Sequence, residues 1–212
     1  MRLVPLVLAL SLILSLSNAY LVSILSGLKQ ALWFNSPFNR VKKMSSSNLY
    51  PNAVTEFGPL DDVVMGGSSS SSFSSGKWSG TIVTNSGGFC GIRSKNFSLD
   101  ASAFKGFEVV VRGGQNQRFK FITRDSSDWN GVAWTWEFDT SPSASATTKV
   151  KLPFSSARPT KFARTVPNVE LDLSKLSTVQ FTLSKFAFDG KLNPKFNGDG
   201  PFELYIDSVS LY

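Results

Sequence analysis

Hydrophobic and polar residues alternate with a period of two through much of the chain after Met44. Such alternation predicts β-strands with one buried and one solvated face. The clearest rows of inward positions are Val132, Trp134, Trp136 and Phe138; Phe119, Phe121 and Thr123; Phe107, Val109 and Val111; and Val150, Leu152 and Phe154. Because Trp134 and Trp136 share a face with Val132 and Phe138, they are expected in the core.

Further strands are expected at residues 77–84, 88–94, 179–189 and 201–212. In the last two the apolar phase shifts midway, which predicts a β-bulge in each. The serine-rich segment 68–75 is expected to be a mobile loop or the ragged start of a strand. No stretch after Met44 keeps a helical period. The pattern therefore predicts an all-β fold, either an antiparallel β-sandwich or a jelly roll.

Residues 1–19 have the features of a secretory signal peptide. Arg2 precedes an apolar run over residues 3–16, and small residues stand at Ser17 and Ala19. The run is shorter than the roughly 20 apolar residues that a membrane span needs. An uncleaved membrane anchor is the alternative.

Residues 20–48 resemble an organelle transit peptide or a basic linker. They contain no acidic residue, several serines and the bases Lys29, Arg40, Lys42 and Lys43. A signal followed by a transit peptide resembles the bipartite leader of algal plastids enclosed by extra membranes, with Tyr20 at the aromatic position. The expected destination is a complex plastid, and a mitochondrion or secretion are the alternatives. The folded domain is expected to occupy residues 49–212.

The net charge of the chain is concentrated in this leader. The 212 residues include 22 Lys and Arg against 15 Asp and Glu, a formal charge of +7. Such a charge suggests nucleic acid or an anionic membrane as the partner. Five of the basic residues and none of the acidic ones precede Met44, which leaves +2 for the rest. Nucleic acid is therefore not expected. On outward strand positions, a basic strip of Arg112, Arg118, Lys120 and Arg124 is expected to be solubilising.

Several kinds of chemistry are excluded by composition. The chain has no histidine and a single cysteine, Cys90. Ser-His-Asp and Cys-His catalysis, His-based metal sites and intramolecular disulfides are thereby excluded. Asp125 and Asp128 could be read as a glycosidase pair, but acidic turn residues usually only shape turns. No catalytic residue, cofactor or metal is expected.

The most distinctive segment is DDVVMGGSS, residues 61–69. The amides of its glycine pair and Ser68 could form an anion nest, and its two aspartates could bind a cation. A P-loop would need a lysine and a helix, and an EF-hand would need more acidic ligands. A structural turn before the first core strand is therefore the favoured interpretation.

The same segment carries a family resemblance. With KWSGTIVTNSGGFCGIRS, FKGFEVVVRGGQNQRFKF, VKLPF and GPFELYIDSVSLY, it resembles the complex I intermediate-associated protein 30 domain over residues 57–212. The resemblance implies a galactose-binding-like β-sandwich and a non-enzymatic, chaperone-like assembly factor. Its partners would be subunits of a membrane complex, which is complex I in mitochondria or a photosynthetic complex in plastids, with peripheral membrane association as a further expectation.

The binding residues implied by the resemblance are Asp62, Met65, Gly66, Gly67, Ser69, Arg93, Arg112 and Trp129. The chain departs from the family at RGGQNQ, where Arg-Gly-Asp-Gly is more usual, so the site at Arg112 lacks its acid. The alternative function is that of a secreted carbohydrate-binding module. Trp129, in the turn DSSDWNG, is expected to be exposed and could stack on a sugar.

Overall fold

The computed structural model describes residue 25, residues 42–44 and residues 47–212 apart from 129 and 163. The signal peptide expected at residues 1–19 and nearly all of the transit-like segment at 20–48 lie outside the described residues, as does Trp129. The leader and the domain bounds of 49–212 stay predictions. No helix within the described ranges is long and apolar enough to cross a membrane.

The described chain is built from short strands and three single-turn 3₁₀ helices. The strands are Lys42–Met44 (β1), Asn48–Tyr50 (β2), Phe57–Pro59 (β3), Ser70–Ser74 (β4), Lys77–Ile82 (β5), Phe89–Ser94 (β6), Phe97–Leu99 (β7), Gly106–Gly113 (β8), Arg118–Arg124 (β9), Ala133–Asp139 (β10), Thr147–Pro153 (β11), Arg158–Lys161 (β12), Arg164–Thr165 (β13), Thr178–Ser184 (β14) and Gly200–Leu211 (β15). The helices are Asp62–Met65 (η1), Phe154–Ser156 (η2) and Leu173–Lys175 (η3).

Two antiparallel sheets pack face to face. The seven-stranded sheet has the order β13-β12-β10-β9-β14-β6-β3. The six-stranded sheet has the order β11-β8-β15-β5-β4, and β2 also pairs with β15. β1 and β7 form a separate short parallel pair. The predicted all-β antiparallel sandwich is confirmed.

Aromatic side chains fill the space between the sheets. Phe107 of β8 meets Phe121 of β9 with ring centroids 5.0 Å apart, and meets Trp136 of β10 at 5.8 Å. Such edge-to-face contacts stabilise a core beyond the burial of apolar area. Trp134 and Trp136 are both buried, so the prediction that they face the core is confirmed.

The two predicted phase shifts have different causes. β15 changes its register against β8 between Ile206 and Ser208, which is the predicted bulge. β14 instead ends at Ser184, and the following loop folds back so that Phe186 bridges Leu192. The second bulge prediction is therefore wrong. The serine-rich segment forms β4, which pairs with β5, in agreement with its interpretation as the start of a strand.

Candidate functional site at the sheet junction and on the outer sheet face

Asp62 lies at the start of η1 and is completely buried. Its carboxylate accepts hydrogen bonds from Ser69 N at 2.8 Å, Ser69 Oγ at 2.7 Å, Gly88 N at 2.6 Å and Phe89 N at 3.3 Å. A buried carboxylate is costly unless its oxygens are hydrogen-bonded, and these donors offset that cost. Ser69 leads into β4 and Phe89 begins β6, so this side chain joins the two sheets.

Asp61 repeats the arrangement one residue earlier and is also buried. It accepts hydrogen bonds from Ser71 N at 2.8 Å, Ser71 Oγ at 2.7 Å and Gly91 N at 3.2 Å. β4 is the edge strand of its sheet, and covering one of its amides protects that edge from pairing with another chain. Burial raises the pKa of Asp61, while the hydrogen bonds from Ser71 and Gly91 oppose that rise.

Two glycines leave the space that Asp62 occupies. A Cβ at Gly67 would lie 2.3 Å from the carboxylate carbon of Asp62, and a Cβ at Gly87 would lie 2.2 Å from its Oδ2. Gly66 ends η1 in the left-handed conformation, with φ of 86°, as is common at helix C-termini. Gly67 and Gly87 therefore serve the same buried carboxylate, whereas Gly66 supplies the left-handed backbone that ends η1.

Most polar groups of the turn are used inside the protein. Gly66 N donates to Val63 O at 3.2 Å, and Gly67 N donates to Asp62 O at 2.9 Å. Both aspartates accept from N–H and O–H donors, and the described residues hold no cluster of three side chains able to ligate a metal. This geometry fits the structural turn, because the amides of Gly66 and Gly67 and both carboxylates are already engaged within the protein. Binding of a partner by Asp62, Gly66, Gly67 and Ser69 stays a prediction.

η1 also presents apolar side chains to solvent. Met65 exposes 71% of its surface, and Val64 is exposed beside it. Because Asp62 and Gly66 fix the backbone on either side, Met65 is held at the tip of the turn. Exposed methionines suit adaptable protein contacts.

A second group of side chains lies on the outer face of the seven-stranded sheet. Arg93 of β6 donates from Nε to Gln180 Oε1 of β14 at 2.9 Å. Arg124 of β9 donates from Nη1 to the same oxygen at 3.2 Å. Gln180 Nε2 in turn donates to Thr182 Oγ1 at 2.9 Å, which fixes the orientation of the amide. Two guanidinium groups therefore converge on one neutral acceptor.

Lys120 and Arg124 occupy the outward positions that the alternation predicts, but they expose only 8% and 9% of their surfaces. The expectation that both are solubilising surface residues is therefore wrong. Burial lowers the pKa of both groups, and burial together with the charge of Arg124 lowers the pKa of Arg93. Arg118 differs, because its guanidinium is paired with Asp139 at 2.6 Å and stays partly exposed.

Arg112 lies apart from both groups, on β8 of the six-stranded sheet. It donates to Asp207 from Nε and from Nη2, each at 2.8 Å, and its guanidinium lies 5.0 Å from the ring centroid of Tyr205. The structure thus brings Asp62, Gly67 and Ser69 together, places Arg93 on another face and separates Arg112 from them. Sequence reasoning missed Gln180 and Arg124 as partners of Arg93; its only signal was their outward position.

The fold defines the class as a galactose-binding-like β-sandwich of the kind seen in carbohydrate-binding modules. A family 11 carbohydrate-binding module from Clostridium thermocellum, solved with a beta-1,3-1,4-mixed-linked tetrasaccharide, matches with a TM-score of 0.50 and 19% identity over 76% of this chain and 91% of the module. The family 11 module of a cellulosomal cellulase from the same organism matches with a TM-score of 0.52 and 18% identity. This match covers 81% of this chain and 95% of the module. At these identities the likeness shows the fold alone.

The model of the family described as complex I intermediate-associated protein 30 (CIA30) matches residues 47–206. This chain belongs to that family, which confirms the resemblance found in the sequence. No curated protein matches the chain.

We expect Asp62→Asn to lower the free energy of unfolding by about 2–4 kcal/mol, because an amide NH₂ cannot accept all the donors that surround the carboxylate. Urea denaturation measures the change. The matched control is Asp199→Asn, an exposed aspartate that accepts from Thr84 N at 3.0 Å. It should change stability by less than about 0.5 kcal/mol. Equal losses in the two variants would contradict the role given to Asp62.

The burial of Lys120 predicts a pH-dependent stability. Burial lowers its pKa from 10.5 to about 8. Between these values the unfolded chain holds the lysine proton and the folded chain does not, so this group makes stability rise with pH. We expect Lys120→Met to remove that rise, so its stability relative to wild type should fall from pH 8 to pH 10.5.

Urea denaturation at a series of pH values tests this expectation. Lys161→Met is the control, because Lys161 is exposed on the same sheet, and its difference from wild type should not change with pH. A pH-independent difference for Lys120→Met as well would refute the buried-lysine account.

Proposed function

We propose that this protein is a non-enzymatic assembly factor that binds protein subunits of a membrane electron-transfer complex while that complex is built. Membership of the CIA30 family, matched over residues 47–206, carries the proposal. The family description names intermediates of complex I, which supports a role related to the assembly of that complex. In this role the protein would bind an unfinished subunit through shape complementarity.

Several observations support binding rather than catalysis. The sequence contains no histidine to act as a general base near neutral pH. The thiol of Cys90 is buried, and burial raises its pKa, which makes it a poor nucleophile. The buried carboxylates of Asp61 and Asp62 are held by hydrogen-bond donors of the fold itself.

Exposed apolar side chains flank the sheet junction and suit a transient protein contact. Met65 and Val64 stand on η1, and Phe186 and Leu192 stand on the loop that follows β14. That loop is tied to the junction because Lys185 N donates to Gly88 O at 2.9 Å. Apolar groups on a fixed frame bind with little loss of conformational entropy.

The proposal extends to location. An organelle reached through a signal peptide, with a complex plastid first and a mitochondrion or secretion as alternatives, is supported by the composition of residues 1–19 and 20–48. In a plastid the client would belong to a photosynthetic complex, and in a mitochondrion to complex I. Peripheral association with the membrane that holds the client is part of the same proposal.

Deletion of the gene is expected to lower one of these complexes several-fold, because unfinished subunits would lose their binding partner. Native gels and immunoblots for complex I and both photosystems measure the effect. Re-expression of the full chain should restore the level, whereas a chain lacking residues 20–43 should not, because the transit-like segment is missing. Normal amounts of all three complexes in the deletion strain would overturn the proposal.

A sugar-binding function is the second candidate, and one observation favours it. An open polar groove of about 730 Å³ lies on the outer face of the six-stranded sheet and is lined in part by Ser72, Thr81, Gln115 and Glu203. Sugar sites usually add an exposed aromatic ring, but the described tryptophans are all buried. They are Trp78, Trp134 and Trp136.

Titrations with soluble β-glucan and galactan oligosaccharides separate the two candidates. If the protein is an assembly factor, we expect no heat change in calorimetry, because the aromatic residue in the described lining of the groove, Phe202, is buried. Saturable binding that Glu203→Gln weakens, while Glu170→Gln on another exposed segment does not, would favour the sugar-binding function instead.

A further inference from the structure

Three cationic side chains stand on the outer face of the seven-stranded sheet, on two strands separated by β14. Gln180 of β14 lies opposite Arg93 in the sheet register, Thr178 lies opposite Arg124, and Thr182 lies opposite Lys120. Arg93, Lys120 and Arg124 expose 5%, 8% and 9% of their surfaces. Three like charges are therefore held in a largely buried patch, here named the basic face.

Two cations of the basic face have no ion-pair partner among the described residues. Neither Lys120 nor Arg124 forms an ion pair with a described acidic residue. The Nε atom of Arg124 is buried and has no hydrogen-bond partner among the residues that the structure describes. A guanidinium N–H that is buried without a partner carries the full cost of desolvation, so an added acceptor would be favourable there.

Described acidic groups act on Lys120 and Arg124 from the two ends of the basic face. Asp128 acts on Arg124 from the loop that follows β9, while Glu137 and Asp189 act on Lys120 from the other end. Glu137 is already engaged, because its Oε1 accepts from Phe188 N at 2.9 Å. Between the ends, the two arginines share the neutral amide oxygen of Gln180 as an acceptor. A charged acceptor would bind both guanidinium groups more strongly.

We propose that the basic face binds a carboxylate of an acidic peptide segment, with Arg93 and Arg124 as its donors and Lys120 supporting its charge. The peptide source rests on the proposed function, in which the client is a protein. The chemistry itself, recognition of a carboxylate by paired guanidinium groups, is independent of it.

The shape and composition of the basic face favour a peptide over a sugar acid. Its cations expose less than a tenth of their surface, so a single side chain or a chain terminus fits better than a ring or a membrane surface. The described tryptophans and Tyr50 are in the core. Tyr205 lies on β15 of the other sheet and Tyr212 directly follows that strand, so no described tryptophan or tyrosine is placed to stack on a sugar at the basic face.

Binding of fluorescein-labelled hexaglutamate to the full chain, followed by anisotropy at low ionic strength, tests the proposal. Arg124→Gln should weaken binding by about ten- to a hundredfold, because hydrogen bonds to charged groups contribute this much. Arg164→Gln removes the same charge from an exposed position on β13 and should leave binding nearly unchanged. All variants share the basic residues before Met44, so differences among them report the face.

Gln180→Glu is a second variant that does not depend on tolerating the loss of an arginine. It supplies a carboxylate between Arg93 and Arg124 from within the chain, so it should abolish hexaglutamate binding and raise the urea midpoint of unfolding. A result in which Gln180→Glu binds hexaglutamate as the wild type does would overturn the proposal. So would equal affinities of the Arg124→Gln and Arg164→Gln variants, or no binding by the wild type.

A parallel titration with hexagalacturonate separates the two sources of carboxylate. Binding about tenfold tighter than that of hexaglutamate would overturn the peptide assignment.

The experiments also distinguish failure of the carboxylate site from failure of the proposed assembly function. Loss of a complex on gene deletion without hexaglutamate binding would overturn only the present inference. Specific hexaglutamate binding with normal complexes would support the carboxylate site and overturn only the assembly function.

Discussion

The sandwich depends on two adjacent carboxylates that are removed from water and shared between its sheets. Asp61 and Asp62 each accept hydrogen bonds from the start of β4 and from β6, which belong to different sheets. Losing either carboxylate would leave several buried N–H donors without an acceptor, which costs more than an ordinary hydrogen bond contributes. The glycines around Asp62 follow from the same constraint, because side chains at Gly67 or Gly87 would occupy the space of the carboxylate.

This junction also positions the basic face, because both depend on β6. Successive outward positions of that strand are Phe89, Gly91 and Arg93. The first two donate their amides to Asp62 and Asp61, and the third donates its side chain to Gln180. The aspartates therefore fix the position of β6 at Gly91, two residues before Arg93, whose guanidinium contacts β14. The two aspartates that join the sheets and the basic face that is suited to binding are therefore connected through the same strand, β6.

The sequence was sufficient to predict the interior of the sandwich. Period-two alternation placed Phe121, Trp134 and Trp136 on inward positions, and a phase change located the bulge of β15. It could not predict that β14 lies between β6 and β9, because that pairing joins residues far apart in the chain. Without this order, Gln180 and Arg124 cannot be recognised as neighbours of Arg93. Alternation also predicts which face of the sheet Lys120 occupies, but it does not predict how much of the side chain is exposed to water.

The other outward arginines show that this fold can pair an arginine with a carboxylate of its own chain, so the fold itself does not require the basic face to lack one. Arg112 is paired with Asp207, and Arg118 is paired with Asp139, each through more than one N–H group. The chain can therefore supply a carboxylate in cis where an arginine needs one. Arg124 is more deeply buried than either, yet it receives only a neutral amide oxygen from Gln180 among the described residues. Threonine or valine would fill the same position without the cost of burying a charge, so a charge kept there is best explained by a partner that brings the missing anion.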